Sequence, residues 1–142
     1  MKNPDRDLVE RAMQSPLPLA VATSAFAVEL AAQILQAAPG DIRLGFTAGE
    51  RFTQATGALQ GGAVAAMLDF GLAFAALSRL KEGESAATLS LTIDFLRPAL
   101  PGPYEVQARV VRGGRRVTYA QANLLLPTGE LVATATSPLW NG

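Results

Sequence analysis

Apolar and polar residues alternate along the last third of this chain. From Leu89 to Phe95, apolar side chains alternate with Ser, Thr and Asp, which is the period of two expected of a half-buried strand. The alternation returns at 104–110, and strand-like segments continue at 116–126 and 131–139. Gly-rich and Pro-rich turns separate these segments. Because consecutive strands joined by short turns pair antiparallel, this third predicts an antiparallel meander.

A long apolar segment precedes the meander and predicts one helix over 61–80. The segment is apolar nearly all round, so we expect it to be buried nearly all round, wrapped by the sheet. Asp69 is the only charge between Leu59 and Leu77. A buried charge without partners costs several kcal/mol or changes its protonation state, which makes Asp69 a candidate functional residue. The structural alternative is that Asp69 pairs with Arg79 or with a strand residue.

The N-terminal part is less regular. Residues 4–14 predict a short amphipathic helix inside an N-terminal arm, 1–18, in which prolines end the helix. Residues 19–37 are ambiguous, because their alanines favour a helix while the Ala-Pro-Gly-Asp turn that follows suits a hairpin. Residues 42–46 alternate as a strand, and 51–58 predict a further strand.

Composition limits the classes of function. The 142 residues suit a single domain, 1–142. Hydrophobic residues make up 49% and charged residues 17%, which favours burial of an apolar area against another subunit. Lys plus Arg and Asp plus Glu both number 12, so no general basic field attracts nucleic acid or an anionic membrane.

The chain has no cysteine and no histidine. Disulfides, Cys-ligated or His-ligated metals and Ser-His-Asp or Cys-His catalysis are therefore excluded. Acid–base chemistry must use Asp, Glu, Lys, Tyr or a bound water. No signal peptide is visible, and the apolar run 63–77 is shorter than the roughly 20 residues that span a bilayer. We expect a cytoplasmic protein without a metal or cofactor.

The start of the predicted helix, Gln60-Gly61-Gly62, suits an oxyanion. The first backbone N–H groups of a helix have no partner inside it, and the helix dipole places partial positive charge there. A thioester carbonyl could rest against the amide of Gly61 or Gly62, since glycine leaves room for close approach. Asp69 lies about 12 Å further along the helix axis from Gly61. If both act on one carbonyl, the second group must come from a neighbouring chain.

These residues, in this order and spacing, resemble the hotdog-fold acyl-CoA thioesterases of the phenylacetic-acid-degradation (PaaI-like) type. The resemblance covers roughly residues 30–138 and rests on four segments: Gly57-x-x-Gln60-Gly61-Gly62 with Asp69, Leu91 to Ala99, Gly114 to Ala120, and Gly129 to Ala133. It implies an α+β hotdog fold, in which an antiparallel sheet of five to six strands wraps one long central helix. It also implies that two protomers join their sheets edge to edge, with active sites at the interface.

The resemblance implies a role for each matching residue. Asp69 would be the catalytic carboxylate, activating water or attacking the thioester, and the Gly61 amide would polarise the carbonyl. Thr88 matches a position that holds a hydroxyl beside the carboxylate. Gln54 stands where the family usually has Asn, and Gln60 where it usually has His. Glutamine keeps hydrogen-bonding ability at both positions but does not titrate as His does.

Coenzyme A is the other expected ligand, as part of the substrate. Gly62, Arg97, Arg115 and Arg116 are candidates for binding it, since guanidinium groups suit phosphate oxygens. The alternative for Arg115 and Arg116 is a solvated hairpin tip.

Two functions remain open. The first is a hydrolase of acyl-CoA thioesters with small aryl or medium-chain acyl groups, acting as a homodimer or a dimer of dimers. The second is a non-catalytic protein that binds acyl-CoA or an acyl chain on the same scaffold, which the glutamines at 54 and 60 favour. A hotdog hydratase is disfavoured, because those enzymes typically pair Asp with His.

Overall fold

The computed structural model describes residues 2–142, so Met1, the first residue of the predicted arm, lies outside the described part. Three α-helices and eight strands are present there, together with a 3₁₀ turn at Glu50–Phe52. The helices are α1 (Pro4–Ala12), α2 (Ala25–Glu29) and α3 (Gly61–Leu77). The strands are β1 (Leu19–Ala20), β2 (Gln33–Ala38), β3 (Asp41–Ala48), β4 (Ala86–Thr88), β5 (Thr92–Phe95), β6 (Gly102–Gly113), β7 (Val117–Leu125) and β8 (Leu131–Asn141).

All eight strands belong to one antiparallel sheet, in the order β1-β2-β3-β6-β7-β8-β4, with β5 also paired to β8. The predicted meander is confirmed as β6, β7 and β8. The sheet has more strands than the five to six expected, because β1 is a two-residue piece and the strand predicted around Leu89–Phe95 is split. Thr88 pairs with Leu139 and Thr92 with Thr136, while the residues between leave the ladder.

One N-terminal prediction needs correction, and the structure resolves one ambiguity. Residues 51–58 do not form a strand, because the positive φ of 91° at Gly57 turns the chain back so that Thr53 bridges Leu59. The ambiguous segment 19–37 contains both kinds of structure, with α2 between β1 and β2. The predicted turn after it is confirmed, and β2 and β3 form the hairpin.

The long helix α3 is confirmed, although it ends at Leu77 rather than at residue 80. Ser78 closes it, since its hydroxyl donates to the carbonyl of Ala75 at 2.6 Å and accepts from the amide of Gly40 at 2.8 Å. These bonds join the end of α3 to the β2–β3 turn. In the described part of the chain, no helix is long and apolar enough to cross a membrane.

The sheet covers one side of α3 and leaves the other side open. Met67, Leu68 and Leu72 on the covered side are fully buried. On the other side Gly62 is exposed, and Ala65, Ala66, Asp69 and Ala73 are half-buried. The expectation that α3 is buried nearly all round is therefore wrong for a single chain, because one sheet of this length curves over only part of the helix.

Candidate active site

Asp69 lies on the open side of α3, where β4 passes the helix. The Thr88 hydroxyl donates a hydrogen bond to Asp69 Oδ1 at 2.8 Å. Among residues 2–142, no ion pair includes Asp69. Arg79, the partner considered from the sequence, packs instead across Gly40 and Gly113. The carboxylate is thus held by one neutral donor at one oxygen, and it is partly open to solvent.

Two backbone amides without a hydrogen-bond partner lie at the start of α3. Gly61 is its first residue, and the amides of Gly61 and Gly62 donate no hydrogen bond within residues 2–142. The amides of Ala63 and Val64, by contrast, both donate to the carbonyl of Gln60, at 2.9 and 3.3 Å. The space beside Gly62 is open, since a Cβ there would meet nothing within 4 Å, and both glycines border clefts. This end of the helix can accept an anionic oxygen.

The two parts of the site lie along the same edge of the sheet. Asp69 is beside β4 through Thr88, and Gly61 is beside β5, where the Phe95 ring lies 3.6 Å from the position of a Gly61 Cβ. Both β4 and β5 pair with β8 on one side, and no described strand pairs with their other side. Leu89, Phe95 and Leu96 along this edge are more than half exposed. Such an apolar, unpaired edge favours pairing with another chain.

A cleft lies on each side of the start of α3. The edge cleft has a volume of about 460 Å³, and its walls include Gln54, Leu59, Gly61, Phe95, Leu96 and Arg97. The aromatic cleft has a volume of about 330 Å³ and is lined by Phe26, Arg51, Phe52, Thr53, Gln60, Gly62 and Ala63. Sequence analysis did not identify Phe26, which lies in the ambiguous segment and follows no periodic pattern.

The structure divides the predicted catalytic residues into two groups. Asp69 and Thr88 are brought together, whereas Gln54 and Gln60 lie with Gly61 at the start of α3. The side chains of both glutamines are exposed, and neither forms a hydrogen bond within the described residues. They are therefore free to bind a ligand beside the helix end.

The residues predicted to bind coenzyme A differ in whether a carboxylate already pairs with them. Arg97 forms an ion pair with Glu130, with Nη1 and Oε2 2.6 Å apart. Arg115 and Arg116 are exposed at the β6–β7 turn, and no carboxylate of residues 2–142 pairs with them. Gly113, the last residue of β6 before that turn, is aligned with Thr88 across β7 and β8. Three strand spacings separate the two, or about 14 Å.

Known sequences are similar to part of this chain. A family model described as the thioesterase superfamily matches residues 56–133. A protein of Saccharolobus solfataricus, described as a candidate esterase, is 33% identical over 98 residues, which are 68% of this chain and 63% of the relative. A second candidate esterase of that organism is 31% identical over 61% of each chain. The matched regions are thus under two thirds of the length of these relatives.

Solved structures agree with the fold. A candidate thioesterase of Ralstonia eutropha, described as phenylacetic acid degradation-related, is 32% identical over 97% of this chain and 99% of its own, with a TM-score of 0.81. The PaaI protein of Escherichia coli, at 21% identity over 97% and 94%, shares the fold with a TM-score of 0.81. A thioesterase family protein of Silicibacter pomeroyi is 31% identical over 84% and 90%, with a TM-score of 0.79. The predicted hotdog fold is confirmed, and the chain belongs to the thioesterase superfamily.

Proposed function

We propose that two copies of this chain form a hydrolase of acyl-CoA thioesters, in which Asp69 of one copy and the Gly61 amide of the other act on the same carbonyl. The observation that carries this proposal is the division of the site along one open edge. Asp69 and Gly61 both face ligand-accessible space, but about 12 Å of helix separates them. Membership of the thioesterase superfamily supports the reaction.

A two-fold axis between β4 and β5 would complete the site. Closed dimers are the commonest symmetric assembly. Around such an axis, the same edge of each copy meets the other in the opposite direction. The β4 side of one copy would then meet the β5 side of its partner, which brings Asp69 towards the partner's Gly61. The same contact would bury Leu89, Phe95 and Leu96, which would account for part of the large apolar fraction of the chain. A dimer of dimers is compatible with this contact.

The proposed reaction starts from ionised Asp69. Thr88 holds Oδ1, so Oδ2 is free to take a proton from water as the water oxygen attacks the thioester carbon. The Gly61 amide, with Gly62 beside it, stabilises the oxyanion. The carbon–sulfur bond then breaks, and the proton on Asp69 passes to the thiolate of coenzyme A. Direct attack by Asp69 would give an acyl anhydride instead, and label from heavy-oxygen water found in Asp69 after one turnover would indicate that route.

The remaining predicted residues would bind the substrate. Gln54 and Gln60 are placed to hold the water or the leaving group by hydrogen bonds. Arg115 and Arg116 are better candidates for the phosphates of coenzyme A than Arg97, because Glu130 already neutralises Arg97. The proposed acyl group is a small aryl or medium-chain group.

The test follows thiol release from a panel of aryl and medium-chain acyl-CoAs. Wild-type protein is expected to release thiol, and Asp69→Asn and Asp69→Ala to lose about 10²- to 10⁴-fold in rate, the usual contribution of a general base. Asp41→Asn is the matched control, since Asp41 is an exposed carboxylate on β3, away from the proposed contact. Full activity in the Asp69 variants would contradict the assignment.

The non-catalytic alternative has its own outcome. The glutamines at 54 and 60 motivate it, since the family usually has Asn and His there. A binding protein would gain thermal stability with acyl-CoA by mass action while releasing no thiol.

A further inference from the structure

The two clefts at the start of α3 suit the two arms of a thioester. A carbonyl bound at the free amides of Gly61 and Gly62 sends its acyl group to one side and its pantetheine arm to the other. Gly61 borders the edge cleft, and Gly62 borders the aromatic cleft. The two arms therefore have one cleft each, and the question is which arm occupies which cleft.

The wall of the aromatic cleft is fixed in place, although it is solvent-exposed. Phe26 is 50% exposed, and its ring meets Phe70 edge-on, with centroids 5.9 Å apart and planes at 83°. Phe70 in turn contacts Phe46 and Phe74 at 6.0 and 6.2 Å, and both of these are buried in the core. Phe26 is thus the outer member of a chain of four rings, which limits the movement of its side chain.

The helix that carries Phe26 is also anchored. Ala27 and Leu30 on or beside α2 are fully buried, and the Ser24 hydroxyl accepts from the Ala27 amide at 3.2 Å. This five-residue helix is therefore held at its start and on its inner side, which restricts the movement of Phe26. An exposed ring on such a support is a wall for a ligand rather than a mobile surface residue.

The aromatic rings and the sizes of the two clefts favour one assignment of the arms. Each cleft has one free glutamine amide on its wall, Gln60 in the aromatic cleft and Gln54 in the edge cleft, so hydrogen-bonding groups do not separate the clefts. The aromatic cleft is the smaller, about 330 Å³ against 460 Å³, and the rings of Phe26 and Phe52 line it, whereas the edge cleft has the single ring of Phe95. A small acyl group suits the smaller cleft, and the longer pantetheine arm suits the larger one.

We infer that the aromatic cleft holds the acyl group and that Phe26 determines which acyl groups are accepted. The inference rests on the proposed function and adds to it the position of the acyl group. A flat aryl ring can meet Phe26 and Phe52 in the offset or edge-to-face arrangements that aromatic pairs favour. A straight alkyl chain can make apolar contact with these rings but has no ring to stack on them or to meet them edge to face. Phe26 should therefore raise the preference for aryl over alkyl acyl groups.

The test compares phenylacetyl-CoA with octanoyl-CoA, whose acyl groups have the same number of carbon atoms. In Phe26→Ala, the ratio of kcat/KM for the aryl substrate to that for the alkyl substrate should fall by roughly three- to tenfold, the contribution of one aromatic contact. Phe26→Leu keeps apolar bulk without a ring, so the ratio should fall by less than it does in Phe26→Ala. Val28→Ala is the matched control, because Val28 is 57% exposed on the same helix and does not line the cleft. Circular dichroism and Tm would verify that each variant is folded.

The outcomes of this comparison support or overturn the position given to the acyl group. An unchanged ratio in a folded Phe26→Ala, or a ratio that falls instead in Leu96→Ala on the edge cleft, would overturn the inference. Both results leave the proposed function standing, since wild type still releases thiol. A wild-type protein that hydrolyses neither thioester would overturn the proposed function and this inference with it.

Discussion

The two sides of α3 differ in what covers them and in what a mutation there would cost. On the covered side, a Cβ added to Gly71 would lie 2.4 Å from Val106 Cγ1, closer than packed atoms approach. On the open side, a Cβ added to Gly62 would meet nothing within 4 Å. The same helix therefore has one side that its own sheet fills and one side with room for another molecule.

This difference separates stability from chemistry. Interiors are close-packed, so the covered side is specified by volume, and residues such as Met67 and Leu72 fill it completely. The open side carries Asp69 and small side chains, and the two free amides lie at its end. We expect substitutions on the covered side to change folding, and substitutions on the open side to change activity with little effect on folding.

After the Asp69 substitutions, the largest effect is expected from removing the Gly61 amide. Gly61→Pro deletes the N–H at the first helical position, where proline is well tolerated, and Gln60 already has the extended ψ of 139° that proline requires of its predecessor. Loss of one oxyanion donor should lower kcat by about 10²- to 10³-fold. Thiol-release kinetics would measure it.

Gly61→Ala is the matched control for that variant. It keeps the amide, and its Cβ would lie 3.6 Å from the Phe95 ring, an ordinary contact. The alanine variant should keep most of the activity. Equal activity in both variants would show that the Gly61 amide does not contact the carbonyl.

A smaller effect is expected from the hydroxyl that holds Asp69. Thr88→Val has nearly the same shape and removes the 2.8 Å hydrogen bond to Oδ1. A hydrogen bond to a charged group contributes about 1.5–3 kcal/mol, so kcat should fall roughly 10- to 100-fold. Thr88→Ser restores the donor and should restore most of the rate. If valine and serine behave alike, the hydroxyl has no part in catalysis.

The packing difference can be tested by stability alone. Gly71→Ala forces a methyl group against Val106 and should lower the free energy of unfolding by about 1–3 kcal/mol. Gly62→Ala, in open space within the same helix, should be neutral or stabilising by up to about 1 kcal/mol. Urea denaturation at one fixed protein concentration would compare them. A destabilised Gly62→Ala beside an unaffected Gly71→Ala would reverse the assignment of the two sides.

The smallest effect is expected in how the free energy of unfolding depends on pH, through a buried phenol outside the site. Burial raises the pKa of Tyr104 above its ordinary 10.0, and the hydroxyl donates a hydrogen bond to the Leu100 carbonyl. Above that ordinary value, the unfolded chain loses its proton before the folded chain does. The free energy of unfolding should therefore fall as the pH rises through this range, with the contribution fully present below it.

Tyr104→Phe serves as the comparison for that pH dependence. The variant has no phenol to ionise, so the fall in its unfolding free energy at high pH should be shallower than in wild type. Urea denaturation at neutral pH and at a pH above 10.0 would measure both slopes. Identical slopes would mean that Tyr104 does not contribute.

The sequence predicted most of the fold and part of the site. Period-two alternation identified β6, because burial on one face of a strand imposes that period. The turns that bound two strand-like segments identified β7 and β8, and the long apolar run identified α3. The break between β4 and β5 was not predicted, since the alternation continues through residues that leave the ladder. Asp69 and Thr88 came together as the resemblance implied. Phe26 was missed, because a wall residue on a five-residue helix follows no period.

Complementation between two inactive variants tests the shared site most directly. Asp69→Asn and Gly61→Pro homodimers should each be nearly inactive. After subunit exchange at equal amounts, half of the dimers are mixed, and each mixed dimer contains one intact pair of Asp69 and Gly61. Roughly a quarter of wild-type activity should therefore return. Mixed dimers that form, as shown by a mass tag on one variant, and yet release no more thiol than the separate homodimers would contradict a site built from two copies of this chain.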